Sequence, residues 1–182
     1  TICQNVADFT GFERPTTVID NTDPIARQLL AFAQREGKQL MRTHAWPILL
    51  KEHTFSTSSG TAAYSLPSDF DRLVNETVYN RSENDAFSGP LTPSEYQLLN
   101  HGTASSGTTE KFRLKVASNA LKFEIDPTPS STQTIGFEYV SNFFCESSGG
   151  SGKAAWSVDT DTGILDETLI ELGLTWRFRQ AH

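Results

Sequence analysis

The sequence predicts an α+β fold, a helical bundle built from N- and C-terminal helices with an inserted antiparallel β-sandwich or barrel-like domain. Three observations predict it. A helical apolar period governs the first third of the chain, a period of two governs the middle, and the helical period returns near the end. The 182 residues suit one domain, or one domain with a small appendage, and 37% hydrophobic content with 12 Phe supplies its core. Ser and Thr make up about a fifth of the chain, which favours turns and exposed strands.

Residues 1–47 read as helices. Ile2, Val6 and Phe9 share one face of a short helix that Thr1 can cap and that Gly11 and Pro15 end. Asp23-Pro24 then places a capping carboxylate before a proline at the first helical position. Ile25, Leu29, Phe32, Ala33, Glu36 and Leu40 continue that helix to about Arg42, a length of ~28 Å. Arg35, Lys38, Gln39 and Arg42 fall largely off its apolar face and make the later turns basic. Pro47 stops continuation past Trp46.

Residues 48–146 read as the β-domain. Alternation runs through His53–Thr57, Ala63–Leu66, Leu73–Tyr79, Lys111–Val116, Ala120–Ile125 and Thr134–Val140. Ser118-Asn119 suits a tight turn, so 111–125 is expected to be a hairpin. A short helix is expected near 93–100, from Pro93-Ser94-Glu95-Tyr96 and Leu98-Leu99. Residues 147–160 begin with Ser147-Ser-Gly-Gly-Ser-Gly152 and read as a flexible loop. Residues 161–182 read as a C-terminal helix packing on the N-terminal ones, capped by Thr162 or Asp161 with Asp166 and Glu167 near its positive end. Leu165, Leu169, Leu172 and Trp176 mark its apolar face, and the pattern still runs at His182, so the native subunit is expected to be slightly longer.

No catalytic machinery stands out. The Ser147–Lys153 run fails as a phosphate loop, because Ser147 replaces its first glycine and Ala154 follows Lys153. Asp159-x-Asp161-x-Gly163 opens like a calcium loop, but Ile164 and Ile170 stand where Gly and Glu are needed. His44, His53, His101 and His182 are scattered, so no metal is expected. Asp69, Asp71, Glu76, Glu124 and Glu138 suit a solvated strand face better than a glycosidase acid–base pair. Cys3 and Cys145 read as reduced thiols rather than one long-range bridge. No cofactor is implied, no apolar run approaches the ~20 residues of a membrane span, and no secretory leader is expected. A net charge of −7 argues against gripping nucleic acid through a basic face.

Several stretches go further. Tyr64-Ser-Leu-Pro-Ser-Asp-Phe-Asp-Arg-Leu73, Gly89-Pro-Leu-Thr-Pro-Ser-Glu-Tyr96, Phe137-Glu-Tyr-Val-Ser141, Trp156 with Asp159-Thr-Asp161, and Leu165 to Ala181 occur in order. With Asp23–Leu30 and His44-Ala-Trp46 before them, the chain resembles bacteriophage head-to-tail connectors, the adaptor or tail tubular protein A-like family. The resemblance implies a structural virion protein and no enzyme. It implies a ring, usually of twelve, at the portal vertex, with the portal protein above and a tail or nozzle protein below. DNA would be passing cargo only, no membrane would be involved, and assembly would take place in the bacterial host cytoplasm. In that family the C-terminal helix runs past a position like His182 toward the portal.

In such a ring, Arg35, Lys38, Arg42, Trp176, Arg177, Phe178 and Arg179 are the expected interface residues. Trp176 suits an intramolecular core equally, and the arginines also suit the negative end of a helix dipole. Twelve copies at −7 would carry about −84, a lining that repels phosphates. A rival reading is a carbohydrate- or receptor-binding β-module of a phage tail, supported by Tyr and Trp on short strands but not needing two long helices. A small hydrolase built on the carboxylates is the third.

Overall fold

The computed structural model describes residues 1–101 and 109–182. It is α+β, with two compact units: Thr1–Leu50 with Ser141–His182, and Lys51–Val140. The first unit opens with α1 (Ile2–Thr10), which Gly11 ends in the left-handed conformation at φ 80°. Helix α2 (Pro24–Thr43) starts where the Asp23 carboxylate accepts the Ala26 amide at 2.9 Å. It buries Ala26, Leu29, Ala33, Glu36, Gly37 and Met41.

The second unit is a two-sheet sandwich. Strands β1 (Leu50–Ser56), β2 (Ala63–Ser65), β3 (Phe70–Leu73), β4 (Tyr79–Asn80) and β5 (Asp85–Ala86) lead to helix α3 (Pro93–His101). Strands β6 (Lys111–Ala117), β7 (Ala120–Asp126) and β8 (Thr134–Ser141) follow. One sheet has the order β1-β8-β4-β5, with β3 also on β8, and the other has the order β2-β7-β6. Ser118 and Asn119 both take positive φ, 52° and 60°, as the two-residue turn of the β6–β7 hairpin requires. The core between the sheets includes Val78, Phe87, Ile125 and Ile135. At its centre Phe123 stacks on Phe112 at 4.8 Å and on Phe137 at 5.5 Å. Such pairs add about 0.5–1.5 kcal/mol each beyond burial.

The alternation of 73–79 does not make a strand. β3 stops at Leu73, Glu76 takes φ 64°, and the Thr77 hydroxyl donates to the Val74 carbonyl at 2.7 Å. A local side-chain hydrogen bond here replaces the ladder that side-chain alternation promised.

Returning to the first unit, β9 (Cys145–Glu146) pairs with both β10 (Gly152–Lys153) and β11 (Thr162–Gly163) before α4 (Glu167–Ala181). Within the glycine-rich run Ser147 N–H donates to Ser151 O at 2.9 Å and Gly150 N–H to Ser147 O at 2.8 Å. Helix α4 is capped by Asp166, whose carboxylate accepts the Thr168 amide at 2.8 Å, and not by Asp161 or Thr162.

Asp161 anchors the preceding loop instead. It accepts Lys153 Nζ at 2.6 Å and the amides of Ser157 at 2.8 Å and Val158 at 3.0 Å. Burial alone would raise this carboxyl, but those hydrogen bonds outweigh it and hold it down at about 2. A depressed carboxyl stabilises the fold fully above its unfolded value near 3.9 and loses that contribution as pH falls through 2. Asp161→Asn should therefore melt below wild type at pH 7, with the gap closing by pH 2. An equal gap at both pH values would contradict the assignment.

Candidate interaction surface

The two long helices of the first unit are antiparallel. His182, just past the end of α4, lies 3.0 Å from Gln28 of α2, while Arg177 of α4 reaches Glu36 and Gln39 further along α2, each at 2.5 Å. Glu36 faces Gly173, where a β-carbon would collide with the Glu36 carboxylate. With these two positions facing, 100° per residue places Arg35, Lys38 and Arg42 on one side of α2. The same rotation places Leu169, Leu172 and Trp176 on that same side of α4. All six are exposed, so the pair presents a cationic ridge beside an apolar ridge.

The cationic ridge carries an open groove of about 620 Å³ that runs past Ala31, Gln34, Arg35, Lys38 and Arg42. No salt bridge among the described residues engages its three cations. On the apolar ridge Leu172 is 64% and Trp176 58% exposed. Helix α4 buries a second apolar stripe, Ile170, Leu174 and Phe178, against its own unit. Helix α4 therefore carries an apolar stripe on its exposed side as well as on its buried one.

The expected residues thus divide. Arg35, Lys38, Arg42 and Trp176 come together on the exposed face. Arg179 is exposed near it, its guanidinium 5.0 Å from the Phe9 ring. Arg177 is turned inward, with its side chain 12% exposed and paired to Glu36. Phe178 lies fully inside the unit, with its ring 5.1 Å from that of Phe12. Of the apolar face read from the sequence, Leu165 is buried, whereas Leu169, Leu172 and Trp176 are exposed. Sequence reasoning did not single out Leu169 and Leu172 for the surface, although the second stripe at Ile170, Leu174 and Phe178 was there to signal it.

Other chemistry-bearing groups are structural. Asp69 in the second unit accepts the Tyr139 hydroxyl at 2.9 Å and Lys51 Nζ at 2.6 Å, so burial and this carboxylate push the Tyr139 phenol up. Cys3 and Cys145 are free and buried, and burial first pushes each thiol up to about 12, which leaves little thiolate. Among the described residues no group of three or more His, Cys, Asp or Glu could hold a metal, and no helix is long and apolar enough to cross a membrane.

Comparison with known proteins gives one finding. The family model described as SU10 adaptor protein matches residues 1–182, the whole chain. No curated protein matches it.

Proposed function

The chain belongs to the SU10 adaptor protein family, phage adaptors with a structural role between head and tail, and from that premise we propose that it works as one subunit of a closed ring. The ring, of twelve copies, sits under the portal protein at the capsid vertex, receives the tail below, and leaves an axial passage for DNA. The full-length family match carries this reading. The α2–α4 face supports it: a monomer that exposes Trp176 and Leu172 beside three cations that no salt bridge among the described residues engages is built for a protein partner whose surface is acidic and partly apolar.

The overall charge fits the passage. Each subunit carries −7, and acidic residues facing the bore would keep phosphates from adhering. Sizing and imaging the protein with and without the portal protein tests the reading, since some adaptors close only on their partner. Rings with a central channel are expected; a monodisperse monomer that never binds the portal would overturn it.

A further inference from the structure

Among the described residues the β6 edge of the β6–β7 hairpin is open beyond Phe112. Phe112 of β6 spends its outward groups on the chain ahead of α3: its amide donates to Ser88 O at 3.1 Å, and its carbonyl accepts the Leu91 amide at 2.8 Å. Backbone groups alternate sides along a strand, so those of Leu114 and Val116 point the same way, away from β7. Among the described residues no backbone partner meets them. Val116 stands opposite Leu121 in the hairpin, and the two are 66% and 41% exposed. Their side chains prolong the face on which Phe112, Phe123 and Ile125 are buried, out past the end of the core.

The other lateral edge of the sandwich is β1, which ends its own sheet beside β8. Three aromatic contacts order the strands across the two layers. Phe55 of β1 lies 4.9 Å from Tyr64 of β2, and Phe137 of β8 lies 5.5 Å from Phe123 of β7. Phe87, next to β5, lies 6.3 Å from Phe112 of β6. Strands β1 and β6 therefore open on opposite sides of the unit.

Two different edges on opposite sides are what head-to-tail contacts need, and such contacts close rings. We propose that the β6 edge of one copy adds to the β1 edge of the next, with the neighbour covering Val116 and Leu121; this rests on the ring reading and names its contact. Charge selects the pairing. Lys115 faces Lys122 across the hairpin, so two β6 edges would bring four lysines together. Near the β1 edge Glu52 is already paired with Arg81, and the exposed Glu138 on the adjoining β8 is the acid left to meet those lysines.

Val116→Pro in the full chain tests it. The lost N–H points outward, so the β6–β7 ladder survives, as proline on an edge strand allows. Circular dichroism and melting should stay near wild type while ring formation on the portal falls at least tenfold. A second variant, Thr54→Cys with Ala117→Cys, both on the face that carries Lys115 and Glu138, should give a ladder of multimers with a short bismaleimide only once rings form, since both native thiols are buried. Val116→Pro rings at wild-type level, or assembled double-cysteine rings that give no ladder, would overturn the contact while leaving the ring intact. Wild-type protein that never rings would overturn the ring reading itself, and this contact with it.

Discussion

Arg177→Ala should destabilise the first unit by about 3–5 kcal/mol, the usual cost of stranding one member of a buried ion pair. The Glu36 and Arg177 side chains are only 9% and 12% exposed, and Gly173 closes the space over the carboxylate. Removing the guanidinium leaves Glu36 among Ala33, Gly37 and Met41 with nothing to answer its charge. At about 2–4 °C per kcal/mol for a chain of this size, the melting temperature should drop by roughly 6–20 °C. Replacing both partners with methionine should recover much of the loss, because no charge is then left buried. Denaturant melts of wild type and the two variants decide this; an Arg177→Ala protein within 1 kcal/mol of wild type would mean that the pair does not form in solution.

Trp176→Ala, one residue away, should do the reverse. The indole is more than half exposed, so stability should change by less than about 1 kcal/mol. As the large aromatic on the exposed α2–α4 face, it has the character of an interface hot spot, where truncation costs about 2–4 kcal/mol. That is roughly a 30- to 1,000-fold loss of affinity. A titration on the portal protein, with folding checked by circular dichroism, measures it. Undiminished assembly would move the interface elsewhere.

These adjacent residues show where the sequence was legible. Helix α2 could be read because Asp23-Pro24 fixes its start and one clear apolar stripe fixes its face. The β6–β7 hairpin could be read because Ser118-Asn119 tolerates the positive φ its turn needs. Helix α4 misled because both its sides are apolar, and periodicity alone cannot say which stripe meets the core. Glu36 lay on the apolar face of α2, but its partner stands 141 positions away and no local pattern points to it. Asp161 drew notice as a cap, while its real duty to Lys153 depends on a hairpin closed by β9 and β10. Tertiary pairing of charges was the illegible part.

The central claim is a closed ring of this chain between head and tail. Its most direct measurement is the mass and averaged image of wild-type protein bound to its portal protein. Twelve 20.1 kDa subunits would add about 240 kDa as one ring around an open channel. A portal that gains no mass, or gains scattered single subunits with no ring, would contradict the account.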